Sequence, residues 1–201
     1  MDYLLLGFLT GLSLILAIGA QNVFVIEQGL KKQYIFIVCL ICSISDFLLI
    51  FLGIFLFQYL NNYFTPTVEL IFNILLLIFL LHFIWVKIKT KVSETSFNID
   101  SKTNNLPSIL VKTLGFTFLN PHVYSDTVFF LGNFSKSLSQ IDKYYFGAGA
   151  AISSFLFFFI LGYLSKYFSK YLKSVKVWKR INYLIILFMS ILALTVLMEI
   201  I

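Results

Sequence analysis

The sequence predicts an all-α polytopic membrane protein: six transmembrane helices forming a 3+3 inverted-repeat bundle, with helices 1 and 4 broken. Three observations lead there. Of 201 residues, 60% are hydrophobic and 12% charged, with a mean hydropathy of +0.94, whereas soluble domains carry about 45–50% apolar and about 25% charged residues. Six apolar stretches reach the roughly 20 residues that cross about 30 Å of hydrocarbon. The two halves of the chain carry a faint repeat, and polar residues interrupt the first stretch of each half.

The stretches are read over 3–26, 34–58, 66–88, 107–133, 144–164 and 180–200. Continuous Leu/Ile/Phe runs without period-2 alternation argue for helices over barrel strands, the only other backbone that satisfies itself in lipid. The first follows Met1-Asp2-Tyr3, which lacks a basic n-region, so it is read as part of the mature fold. Gly19-Ala20-Gln21-Asn22 interrupts it, and Gly19 marks a helix break whose freed backbone donors suit a carboxylate. A re-entrant first stretch would leave five crossings.

In the second stretch Cys39, Ser43, Asp46 and Gly53 recur at helical spacing, a small and polar stripe facing the bundle interior. Cys39 and Cys42 form a C-x-x-C inside an apolar run, where packing outweighs redox chemistry because thiolates are costly in hydrocarbon. The third stretch carries Asn73. Polar residues 89–106 follow without periodicity and read as a cytoplasmic linker, dividing the chain into repeats 1–88 and 107–201.

Pro121 breaks the fourth stretch, since it lacks a backbone donor and clashes one turn back near Thr117. Its neighbours Asn120 and His122 are polar, and His122 and Asp126, four apart, share a face suited to exchanging a proton or a cation. Gly147, Ala150, Ala151, Ser154 and Gly162 make a small-residue seam along the fifth. Lys166, Lys170, Lys173 and Lys176, interleaved with Tyr163, Tyr167 and Tyr171, read as an amphipathic helix at the inner interface.

The repeat sets Ile44-Ser45-Asp46-Phe47-Leu48 against Ile152-Ser153-Ser154-Phe155-Leu156, with Gly53 and Gly162 following, and Asn73…Phe79 against Asn182…Phe188. Three crossings per half is odd, so the repeats lie in opposite orientations, the layout of secondary transporters with a central site. Lys136 and Lys143 alone fall on one side; the other thirteen of 15 Lys and Arg fall on the second, which is therefore cytoplasmic. The net charge of +6 points to lipid headgroups and not to nucleic acid.

Intramembrane carboxylates face a cavity, a partner or a substrate, which singles out Asp46 and Asp126. An intramembrane enzyme using His122 and Asp126 is the weaker reading, because no nucleophile, metal set or phosphate-binding motif accompanies them. A channel lacks a charge ring or carbonyl filter.

Gly19-Ala20-Gln21-Asn22, Cys42-Ser43-Ile44-Ser45-Asp46 and Leu119-Asn120-Pro121-His122-Val123-Tyr124 with Asp126-Thr127 resemble the LysE family of basic amino acid exporters, including its arginine exporter branch. The resemblance runs in order through essentially the whole chain. Gln21-Asn22 favours the lysine/arginine branch over the threonine and homoserine exporters, which carry Pro-Gly-Pro there; Phe118, Ser125 and Phe157 depart from the family pattern. The resemblance implies a bacterial inner-membrane carrier, not an enzyme, that exports L-lysine or L-arginine under the proton motive force. On that basis Asp46 and Asp126 attract the cationic side chain. Gln21, Asn22, Asn120 and the half-helix ends receive the α-carboxylate, and His122, Asp46 or Asp126 carry protons. The expected partners are the amino acid, protons and membrane lipids, with no cofactor and no metal. The small-residue seams would serve packing within one protomer or between copies in a homo-oligomer. Export of a neutral amino acid is the alternative.

Overall fold

A computed structural model of the chain describes residues 2–16, 19–60, 65–89, 105–170 and 175–200. Among them the secondary structure is helical, with no strand. The helices are α1 (Asp2–Ile15), α2 (Ala20–Lys31), α3 (Ile35–Leu60), α4 (Pro66–Lys89), α5 (Leu106–Phe118), α6 (Pro121–Tyr124), a π-turn at Ser125–Phe130, α7 (Leu131–Ser135), α8 (Gln140–Ser169) and α9 (Val175–Ile200). Four are long and apolar enough to cross a membrane, within α3, α4, α8 and α9; α1 and α2, bent by 83° at their junction, make a fifth if counted as one span.

The second, third, fifth and sixth stretches are thus continuous helices, and the first and fourth are broken at Gly19 and Asn120, where polar residues and Pro121 predict it. Most of the expected linker, residues 90–104, lies outside the described residues. Of the expected amphipathic helix, Tyr163, Lys166 and Tyr167 continue α8 without a break to Ser169, Lys176 falls in α9, and Tyr171 and Lys173 lie outside the described residues. Lys166 and Lys170 lie over the rings of Tyr163 and Tyr167 at 5.5 and 3.7 Å, so each ammonium rests on an aromatic face one turn back.

Local sequence explains the ends. Ser139 caps α8, its Oγ accepting from the Asp142 N–H at 3.3 Å and donating to the Asp142 carboxylate at 2.6 Å. The α2 C-terminus closes with Lys32 in the left-handed region at φ 57°; its N–H returns to Gly29 O and that of Gln33 to Gln28 O. That closure satisfies the last carbonyls and leaves room for α3 to start at Ile35.

Small residues then dictate the packing, because apolar burial does not drive helix association in lipid and close backbone approach does. Gly7 lies against the Phe146 backbone, Gly11 against Ala150 and Gly29 against Gly162. The first stretch therefore advances alongside α8 in the same direction despite its bend, following it for about 24 Å at 1.5 Å per residue. α3 packs on α8 the other way round: Phe36 meets Phe159, Asp46 meets Ser154 and Phe55 meets Tyr144. α3 and α8 are antiparallel. Gly53 abuts Val128 and Gly132 abuts Phe57, so the π-turn and α7 run parallel to α3. α4 and α9 pack on each other, and Phe24, Phe79, Phe83 and Phe116 tie α2, α4 and α5 together with ring centroids 4.8–6.4 Å apart.

The outer surface of the long helices exposes many large apolar side chains: Ile78, Val111, Ile160, Leu184 and Met198 are each at least 60% exposed. Contiguous apolar surface on this scale is what lipid covers. Cys39 and Cys42 are buried and not joined in a disulfide; the Cys39 thiol donates to Phe158 O at 3.2 Å.

Candidate functional site

Asn120 and Gly19 stand at the two breaks, and a methyl group added at Gly19 would lie 3.8 Å from Asn120 Nδ2. The interrupted helices thus meet at mid-bundle. Around that meeting point is a cavity of about 280 Å³ whose polar lining is Gln21, Asn22, Asp46, Asn120, Asp126 and Ser154, with Thr127 and Thr195. Ligand pockets span about 300–1,000 Å³, so this volume suits one small molecule. Leu14, Ile15, Ile50, Leu76, Leu80 and Leu131 supply the apolar wall.

Five of the six sequence-predicted binding residues are brought together here, with Gly19 also in the lining. The sixth is His122; its side chain and that of Pro121 lie outside the described ones, while the backbone of both opens α6 directly after the break.

α2 begins at the cavity. Gly19 caps it in an extended conformation without a side-chain hydrogen bond, so the first turn presents backbone N–H groups and the positive end of the helix dipole. Gln21 adds a donor: its buried Nε2 has the Cys42 thiol, a weak acceptor, beside it and no closer hydrogen-bond partner among the described residues, so a stronger acceptor in the cavity would satisfy it better. Asn22 is used differently. Its Nδ2 donates to the Ile15 carbonyl at 3.1 Å, closing the end of α1 across the break.

The carboxylates come from two other elements. Asp46, at the middle of α3 and 5% exposed, accepts a hydrogen bond from Ser154 Oγ of α8 at 2.7 Å. Asp126 is half-buried in the π-turn, where the Leu131 N–H reaches back five residues to the Asp126 carbonyl. Such turns insert an extra residue and re-aim side chains, often at functional sites. Thr127 Oγ1 donates to Val123 O at 2.5 Å and Tyr124 Oη to Phe118 O at 3.0 Å, satisfying carbonyls around the break. The cavity therefore sets two carboxylates against a helix N-terminus and a buried amide donor.

Sequence reasoning missed a second fully buried acid besides Asp46. Glu27 on α2 is 2% exposed and bonds Lys31 Nζ through Oε1 at 2.6 Å. It falls one residue beyond the apolar stretch as read, but α2 runs on to Lys31; the Glu27/Lys31 spacing of four was the available signal, since it marks a helix continuing. The π-turn had no sequence signal.

The family of LysE type translocators matches residues 12–200. The arginine exporter protein ArgO of Pectobacterium atrosepticum is 33% identical over 184 residues, covering 89% of this chain and 88% of its own length. The protein of the same name from Salmonella paratyphi C is 33% identical over 189 residues, 92% of this chain and 88% of its own. No solved structure matches. A family match over nearly the whole chain, with relatives this similar and several apolar helices long enough to cross a bilayer, makes this a multi-pass inner-membrane transporter that belongs to the LysE family.

Proposed function

We propose that the protein exports basic L-amino acids, arginine foremost and lysine with it, by alternating access of two inverted halves about the central cavity. The carrying observation is the convergence of Asp46, Asp126, the buried Gln21 amide and the α2 N-terminus on one cavity of amino-acid size. Asp46 and Asp126 take the guanidinium or ammonium. The α2 N-terminus, Gln21 and Asn120 take the α-carboxylate, and the Asn22 nitrogen, already given to Ile15, serves mainly to hold the break. His122 remains a proposed proton carrier at the start of α6.

The inverted arrangement draws support from which residues touch. Asp46 and Ser154, equated by the repeat and 108 residues apart, hydrogen-bond to each other. Cys39 lies against Gly162, and the same shift applied to both residues with the halves exchanged gives Ile54 against Gly147, also a contact. A shallow groove outside α3 and α8 is bordered by Ser43 and Ala151, Ile44 and Ile152, and Phe47 and Phe155, again pairs at that shift. A two-fold axis lying in the membrane and passing between Asp46 and Ser154 accounts for all three. The run of α1 and α2 along α8 supports counting the first stretch as a sixth crossing, with the basic loops cytoplasmic.

Moving one net positive charge out of a negative interior costs about 2.3 kcal/mol per 100 mV. Concentrative export therefore requires coupling, and inward protons supply it. The test is counterflow of labelled arginine and lysine in proteoliposomes, beside an Asp46→Asn control. Saturable exchange abolished in the variant is expected; exchange of threonine alone would move the substrate to the neutral class, and exchange unaffected by Asp46→Asn would refute the carboxylate role.

A further inference from the structure

Glu27 and Asp126 occupy matching places in the two halves. Asp126 stands two residues before Val128, where the second broken segment crosses Gly53 of α3; Glu27 stands two residues before Gly29, where the first crosses Gly162 of α8. Gly53 lies seven residues beyond Asp46 and Gly162 eight beyond Ser154, roughly 10 and 12 Å along their helices. Because α3 and α8 are antiparallel and meet at Asp46 and Ser154, the two crossings lie on opposite sides of that pair. Glu27, Asp46 and Asp126 therefore form a file of three carboxylates across the bundle, Glu27 at the basic end beside Lys31, Lys32 and Lys166.

The two outer acids are in different states. Asp126 lines the cavity and Glu27 does not. Glu27 is instead 2% exposed, one turn along α2 from Phe24, whose ring packs on Phe83 and Phe116, and is held by Lys31 and by the charge of Lys112 on α5. Exchanging the conformations of two inverted halves exchanges the environments of matched residues. We propose that Glu27 is the cation site of the opposite-facing state: when α2 parts from α5, its carboxylate loses Lys112, and the guanidinium or ammonium of substrate entering from the basic end displaces the side chain of Lys31, which travels with it on α2. The two lysines are tethered stand-ins that keep the acid neutralised while that mouth is shut.

This rests on the export reading above and is tested separately from it, by arginine transport in membrane vesicles of both orientations. Glu27→Gln should raise KM for arginine presented at the basic-loop face by about tenfold or more, the worth of one charge-assisted hydrogen bond, and leave the opposite face within about twofold. Asp126→Asn should do the reverse. Lys112→Met, which keeps the carboxylate and removes a competitor, should lower KM at the basic face; it decides the matter if Glu27→Gln fails to reach the membrane. Equal shifts on both faces with Glu27→Gln, or none, overturn the proposal, as does an unchanged KM with Lys112→Met. If the wild type exchanges neither arginine nor lysine, the export reading falls and this site with it.

Discussion

Gly53→Ala is the substitution whose effect the structure fixes most closely. A Cβ there would sit 2.6 Å from both Val128 Cα and Val128 O and 2.8 Å from Thr127 O. All three are backbone atoms of the π-turn, so no side chain can swing aside. Ordinary contact begins at 3.4 Å, and the turn must therefore retreat by about 0.8 Å. Relief along α3 is limited, because the backbone of Gly132 is also close there: a Cβ added to it would lie 2.7 Å from the Gly53 carbonyl oxygen. Asp126, two residues before Val128, moves with the turn. A carboxylate contact of about 2.8 Å lengthens to about 3.6 Å, outside hydrogen-bonding range. Losing one hydrogen bond to a charged group is worth about 1.5–3 kcal/mol, a rise in KM for arginine of roughly 10- to 150-fold. Overpacking should also lower stability by about 1–3 kcal/mol. Counterflow kinetics and thermal unfolding in detergent, followed by the fluorescence of Trp85 and Trp178, measure the two effects. Wild-type KM and wild-type unfolding in Gly53→Ala would show that the π-turn does not lie against α3 as described.

Gly162→Ala at the matching crossing should be milder, because the atom met at 2.6 Å is Cys39 Sγ, the end of a side chain; the double variant with Cys39→Ala should unfold closer to wild type than Gly162→Ala alone. Ser154→Ala removes the hydrogen bond that Asp46 accepts at 2.7 Å and should destabilise by about 1–3 kcal/mol. In a cycle with Asp46→Asn the two losses should fall short of additive, as for residues sharing one bond. Strict additivity in unfolding measurements would mean that the pair is not in contact.

Helix positions were legible in the chain because lipid leaves few choices: apolar runs of the right length have one backbone solution. The breaks were legible too, since Gly19 and Pro121 act locally. Asp46 and Asp126 stood out for the same reason, as charges inside runs where charge is costly. Glu27 did not, because hydropathy ends a span at the first polar cluster, whereas α2 is buried among α3, α5 and α8 to its last turn and pairs its acid internally. The π-turn depends on how α7 fits against Gly53, a contact between segments about 75 residues apart that no local pattern carries. The repeat was visible as similarity, yet which of its residues touch is a property of the crossing between α3 and α8.

On the proposed inverted repeat, that crossing would explain why the two halves differ at their centre. Residues equated by a two-fold relation touch only on the axis, and an identical repeat would put two carboxylates 2.7 Å apart at Asp46 and Ser154. Like charges at that distance cannot both ionise. A serine in one half removes the repulsion and donates instead, leaving a single carboxylate held in place at mid-bundle. On the proposed two-fold relation, a group on the axis is equally placed for either opening, while a group off the axis serves one side. Asp46 would then meet the substrate in both states, Asp126 and Glu27 in one each. The vesicle measurement should separate them accordingly: Asp46→Asn impairs arginine binding from both faces, and each outer variant impairs it from one. A one-sided defect in Asp46→Asn would remove Asp46 from the axis of the transport cycle, whatever its position in this state.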